Sequence, residues 1–135
     1  MNKVVIFVGL FLIFFPGTIE AQHFIGLDKK QTRILARKSG FYEDIMTVSK
    51  KFNYLKFVNS PGTKTLIVFF SDEDLATHTR TVCDYSEYDF ILKEYDEKYH
   101  KISDNSWEYE HGDQVFQVNL EEKEWYFVVR LKKKL

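Results

Sequence analysis

The feature that most constrains the fold of this chain is the run at residues 65–70, Thr-Leu-Ile-Val-Phe-Phe, which is apolar on both alternating faces. A strand of this composition belongs in the interior of a sheet, because both of its faces need to be covered. Turn-forming residues border the run at 60–63 and 71–74, and further strand patterns lie beyond them at 54–58 and 77–83. These patterns predict a three-stranded antiparallel meander.

A helix is predicted before this meander. Asp28 is a favourable N-cap residue, and Gln31 stands three residues later, as in a capping box. The helix is expected to end at Ser39 and Gly40. Residues 41–51 fit both helical spacing and strand alternation, so both interpretations stay open, and a second short helix is the favoured one.

The C-terminal half repeats the order of a helix followed by strands. Residues 86–99 carry an apolar stripe at helical spacing, and strand patterns follow at 107–110, 115–120 and 124–131. Alternation in the last strand places Trp125 on the core face beside Phe127. We therefore predict an α+β fold of two layers, with an antiparallel sheet of about six strands, helices on one face, and a pseudo-repeat of a helix followed by a three-stranded meander.

The N-terminus predicts export. A positive residue is followed by an unbroken apolar run at residues 4–15 and by a small residue, Ala21, as in a signal peptide. The run is shorter than the ~20 residues that span a bilayer, so cleavage after Ala21 is favoured over a membrane anchor. We expect a signal peptide over residues 1–21 and a single α+β domain over residues 22–135, whose mature form does not span a membrane.

Composition narrows the class of protein further. Cys83 is the only cysteine, so no intramolecular disulfide can form, and stability has to come from a core for which 44% hydrophobic residues are ample. A net charge of −1 gives no electrostatic case for nucleic acid as a partner. The chain has no Asn-x-Ser/Thr glycosylation site, which favours a periplasmic or secreted bacterial protein over a glycosylated eukaryotic one.

Residues 25–31, Ile-Gly-Leu-Asp-Lys-Lys-Gln, lead into the first helix, and a meander follows. This entry and this order of elements resemble the modules of the β-lactamase inhibitor protein and of small outer-membrane assembly lipoproteins, in which a Gly-x-Ser/Thr-Lys stretch enters the helix. The resemblance implies a non-catalytic binding module of the cell envelope. The chain departs from those proteins in having neither a lipidated Cys nor the disulfides of the inhibitor, so their particular functions are not carried over.

No catalytic or metal-binding motif is present in the sequence. His23, His78, His100 and His111 lack the spacing of metal ligands, and Cys83 has no neighbouring partner for a closed site. A nucleophile elbow and a phosphate-binding loop are also absent. We therefore predict no metal, no cofactor and no catalytic activity.

A binding surface is the function class that remains. Alternation predicts an open sheet face, and aromatic and Arg side chains are typical of interfaces. The candidate binding residues are Tyr126, Arg130, Gln117, Arg80 and His78. The chain is interpreted as a small exported binding protein of the bacterial envelope that engages a protein or an envelope polymer through the open face or an edge strand.

Three competing interpretations stay open at this stage. The face could be an ordinary solvated sheet surface, or the chain could be a structural subunit of an oligomer. The chain could also be an enzyme or a carrier of lipids or small molecules, with a pocket between helices and sheet. The aromatic residues expected to line such a pocket are Tyr88, Tyr95, Trp107 and Trp125.

Overall fold

The computed structural model describes residues 23–46 and 51–135, so the signal peptide predicted over residues 1–21 lies outside the described part of the chain. A short 3-10 turn, Tyr85–Glu87, leads into the second helix. The elements of the described part are α1 (Lys29–Lys38), β1 (Phe41–Glu43), β2 (Tyr54–Asn59), β3 (Lys64–Phe70), β4 (Ala76–Cys83), α2 (Tyr88–Lys98), β5 (His100–Ser103), β6 (Ser106–His111), β7 (Gln114–Glu122) and β8 (Phe127–Lys133).

The strands form one antiparallel sheet in the order β1-β2-β3-β4-β8-β7-β6-β5. Each half of the chain is a helix followed by a four-stranded meander, and the last strands of the two meanders, β4 and β8, pair in the middle of the sheet. The predicted α+β class with an antiparallel sheet is therefore confirmed. The predicted strand number is wrong, because the sheet has eight strands instead of about six and each meander has four instead of three.

The two strands that the sequence pattern missed are the edges of the sheet. β1 is three residues long and pairs with β2 through Tyr42 and Val58, so the favoured helical interpretation of residues 41–51 is wrong for Phe41–Glu43. Residues 47–50 of that segment lie outside the described part. All four residues of β5 are exposed, so this strand has no buried face to give it an alternating pattern.

The first helix begins where its capping residues predict. Asp28 Oδ1 accepts a hydrogen bond from the Gln31 backbone N–H at 2.8 Å, and Gln31 Oε1 accepts one from the Asp28 backbone N–H at 3.0 Å. These two bonds form the predicted capping box. The helix ends at Lys38, and Gly40 follows with φ 86°, a left-handed conformation that favours glycine over residues with a Cβ atom.

Both helices pack on the same face of the sheet. Ala36 of α1 belongs to one core cluster with Phe57 and Val68, and Ile91 of α2 belongs to a second with Trp107. Trp107 is fully buried, lies 5.3 Å from the Tyr95 ring and donates its Nε1–H to Asp96 Oδ1 at 2.9 Å. Within the described residues, neither helix has the length and apolar character needed to cross a lipid bilayer.

Trp125 does not lie on the core face, which corrects the alternation predicted for residues 124–131. It lies in the turn between β7 and β8 with 78% of its surface exposed, because β8 begins only at Phe127. The Lys123 backbone N–H donates to the Tyr126 carbonyl at 2.8 Å and closes this turn. The core-facing residues of β8 are Phe127, which the sequence places on this face, and Val129 and Leu131, which follow it by alternation.

The two tryptophans provide a matched test of this packing. We predict that Trp107→Ala lowers the free energy of unfolding by about 3–5 kcal/mol, because it empties a large buried site and removes a hydrogen bond to Asp96. Trp125→Ala is the control and is expected to change it by less than about 0.5 kcal/mol. Urea unfolding followed by circular dichroism measures both, and equal effects of the two substitutions would contradict the assignment of the core.

Candidate binding surface

The face of the sheet opposite the helices, here called the open face, carries four of the five candidate binding residues. Alternation in β4 turns Cys83 toward α2 and places Arg80 and His78 on the open face. Arg80 stands directly opposite Arg130 of β8, and His78 stands opposite Lys132. Gln117 of β7 pairs with Lys132 from the other side. Residues from three neighbouring strands are therefore brought together.

Tyr126 lies apart from the other four candidates. It belongs to the turn before β8, four residues from Arg130, and 37% of its surface is exposed. Two residues along a strand advance by about 7 Å, so Tyr126 stands at the rim of the surface and not within the cross-strand pairs.

Lys132 belongs to the surface but is not among the five candidates named from the sequence. The structure places Lys132 within β8 and on the open face. Lys132 lies two residues after Arg130, so strand alternation alone would have placed it on the same face. We call His78, Arg80, Arg130 and Lys132 the cationic seam, because they form two consecutive basic pairs across the junction of β4 and β8.

The positive charges of the cationic seam have few partners within the described part of the protein. Like charges directly opposite each other destabilise a sheet. Arg80 Nε is buried and has no hydrogen-bond partner among the described residues. Arg130 Nη1 lies 3.6 Å from Glu121 Oε1, an oxygen that Lys123 Nζ already approaches to 2.6 Å.

The His78 ring is held between an apolar and a charged neighbour. It stacks on the Phe69 ring at a centroid distance of 4.5 Å, and its Nδ1 lies 2.9 Å from Thr77 Oγ1. Partial burial, followed by the charge of Lys132, holds the pKa of His78 below its usual value. At neutral pH the positive charge of the seam therefore comes chiefly from Arg80, Arg130 and Lys132, and His78 adds its charge as the pH falls.

The two flanks of the cationic seam differ in chemistry. On the β3 side lie Ile67 and Phe69, which are half-buried and apolar. On the β7 side lie the amides of Gln117 and Asn119, and Glu108 follows on β6 beside Gln117. The surface therefore passes from apolar through cationic to polar and acidic across the sheet.

The described residues offer neither a metal site nor an activated cysteine. No group of three or more His, Cys, Asp or Glu side chains within residues 23–46 and 51–135 is arranged to hold a metal ion. Cys83 is buried, and burial raises the pKa of its thiol to about 12. The thiol is therefore protonated at neutral pH and is a poor nucleophile.

A small cleft lies between the helices and the middle of the sheet. It encloses about 80 Å³ and is lined by Phe24, which precedes α1, by Tyr95 of α2 and by strand residues such as Leu66. Of the four aromatic residues expected to line a pocket, only Tyr95 borders this cleft, because Tyr88 packs on Phe127, Trp107 is fully buried and Trp125 is exposed in its turn. Ligand pockets in proteins enclose about 300–1,000 Å³, so this cleft falls well below that size.

A histidine cluster ties the start of the described chain to the hairpin between β6 and β7. The rings of His23 and His111 stack at 3.7 Å, and His23 Nδ1 lies 2.8 Å from Tyr109 Oη. Burial, with a smaller contribution from His111, lowers the pKa of His23 to about 4. Sequence reasoning missed this cluster because its members are far apart in the chain and show no common spacing.

Comparisons with protein-family models, with curated proteins and with solved structures find no match to this chain. The resemblance to the modules of the β-lactamase inhibitor protein and of the assembly lipoproteins therefore stays a prediction. Any function has to be inferred from the geometry of the molecule itself.

Arg80→Met tests whether the cationic seam costs stability. We predict that it raises the free energy of unfolding by about 0.5–1 kcal/mol, because it removes a like-charge pair and a buried donor that lacks a partner while keeping the side-chain volume. Lys56→Met is the matched control, because Lys56 lies in the same row of the open face but pairs with Asp44 at 3.6 Å. We expect no gain for the control, and a loss above about 1 kcal/mol for Arg80→Met would contradict the prediction. Urea unfolding measures both.

The histidine cluster predicts a loss of stability in acid. Unfolded His23 takes up a proton near the usual pKa of 6.5, whereas folded His23 takes it up only near pH 4, so the free energy of unfolding falls as the pH drops through this window. We expect His23→Gln to lose less stability between pH 7 and pH 4.5 than the unmodified protein, as measured from urea midpoints. His100→Gln replaces an exposed histidine and should lose as much stability over this pH range as the unmodified protein. An equal loss of stability in all three proteins would contradict the assignment of this pH dependence to His23.

Proposed function

We propose that this chain is a small exported, non-catalytic binding protein of the bacterial envelope that engages its partner through the open face of the sheet. The observation that carries the proposal is the cationic seam, in which two consecutive cross-strand pairs are basic on both sides. Residues that break a local rule of stability are often retained for function. The expected partner is a protein or an envelope polymer, and no nucleic acid, metal or cofactor is required.

The face is favoured over an edge strand as the binding element. β1 and β5, the two edges, contain only three and four residues. Short edge strands offer few free backbone groups to an added strand and are a common protection against such pairing. The open face, in contrast, presents side chains of differing chemistry from several strands in one surface.

The alternative of an enzyme or a carrier receives less support. The cleft between the helices and the middle of the sheet encloses about 80 Å³, and a groove between α1 and β1 about 250 Å³, so both are smaller than the ~300 Å³ at which ordinary ligand pockets begin. The aromatic residues near it pack on each other, as Tyr95 and Trp107 do at 5.3 Å. This close aromatic packing favours a binding protein that uses its surface.

Site-specific photo-crosslinking in cells that make the full-length chain tests the proposal. We predict that a photoreactive phenylalanine analogue at Asn119, on the open face beside Arg130, gives a crosslinked adduct of the exported protein. The recovered chain is expected in the envelope or secreted fraction, with Gln22 as its first residue. Mass spectrometry of the adduct measures both.

The control places the same analogue at Phe90, which lies on α2 with 60% of its surface exposed. Because α2 packs on the other face of the sheet, a partner on the open face leaves this probe unreacted. Adducts formed from Phe90 alone, or equally from both positions, would contradict binding through the open face.

A further inference from the structure

The positive charge of the open face is concentrated in the cationic seam because other basic residues of the sheet are already paired. On the open face, Lys56 Nζ lies 3.6 Å from Asp44 Oδ2, and Lys134 Nζ lies 3.0 Å from Glu108 Oε2. Arg80 and Lys132, by contrast, have no carboxylate within 4.0 Å among the described residues. The seam is therefore a place where an external anion can be paired without breaking a strong internal ion pair.

The spacing of the seam matches an extended polypeptide. The Arg80 and Arg130 pair and the His78 and Lys132 pair are two residues apart along both strands, which corresponds to about 7 Å. Side chains on one face of an extended segment repeat at the same distance. Carboxylates at alternate positions of such a segment can therefore meet successive basic pairs, and an Arg guanidinium can bind a carboxylate with two parallel hydrogen bonds.

The flanks limit the size and chemistry of the ligand. Glu108 and Glu121, both on the open face, bound the positive strip on the β7 side, where a long polyanion would have to compete with them for Lys134 and Arg130. Ile67 and Phe69 offer apolar contacts on the β3 side. A ligand that combines closely spaced carboxylates with apolar side chains fits both flanks, whereas a nucleic acid, an acidic polysaccharide or a lipid surface does not.

We propose that the cationic seam binds an extended acidic segment of a partner protein, in which two carboxylates at alternate positions pair with Arg80 and Arg130 and with Lys132 and His78. This inference rests on the proposed function and names its ligand class. The neighbouring apolar side chains of the segment lie against Ile67 and Phe69.

Fluorescence anisotropy with a labelled short peptide of alternating Asp and Val tests the inference. We expect the peptide to bind, and the same peptide with Asn for Asp to bind at least about tenfold more weakly, because the charge-assisted bonds are lost. R80Q/R130Q should weaken binding of the Asp peptide by about tenfold or more. Added salt should also weaken it.

The charge-matched control is K30Q/K93Q, which removes two exposed lysines from α1 and α2. It should bind the Asp peptide as tightly as the unmodified protein. K132E is a second test within the seam and should also lose binding, so the result does not depend on one variant. Circular dichroism confirms that each variant is folded before its affinity is compared.

Several results would overturn the inference. These are equal binding of the Asn and Asp peptides, unchanged binding by folded R80Q/R130Q, or tighter binding of a heparin fragment or of phosphatidylglycerol vesicles than of the Asp peptide. If the peptide fails to bind while the adduct at Asn119 still forms, the open face binds a partner of other chemistry and only the present inference falls. If that adduct is absent as well, the proposed function falls with it.

Discussion

The pairing of β4 with β8 is the interaction on which the rest of this structure depends. It is the contact that joins two helix-and-meander units into one sheet, and it lets α1 and α2 share a single covered face. On the covered side it is supported by Cys83, Phe127 and Val129, which are almost fully buried. The apolar packing on this side offsets the repulsion between the basic pairs on the other side.

The sequence predicted those parts of the fold that leave a local pattern. Asp28 and Gln31 marked the start of α1, and the strand pattern at 115–120 identified β7, whose Phe116 and Val118 are buried. The edge strands β1 and β5 were missed because they are short and carry no buried face with regular alternation. Trp125 was misplaced because the position of a turn, and not residue type alone, decides where alternation begins.

The candidate surface was predictable as a set of residues but not as an arrangement. Alternation placed Arg80 and Arg130 on the open face, yet nothing in the sequence shows that they face each other. That fact depends on the register between two strands from different halves of the chain. The stack of His23 on His111 was hidden for the same reason, since long-range contacts leave no trace in local spacing.

The order of the strands also has a consequence for how the chain folds. Each meander consists of hairpins between neighbours in sequence, which form quickly, whereas β4 and β8 are separated by the whole second unit. The sheet cannot be completed until β8 has been synthesised, so β4 is an unpaired edge in every earlier intermediate. The alternating Thr, His and Arg residues of β4 keep this temporary edge polar. A polar edge disfavours pairing with other chains, so it protects the incomplete chain from aggregation until β8 pairs with β4.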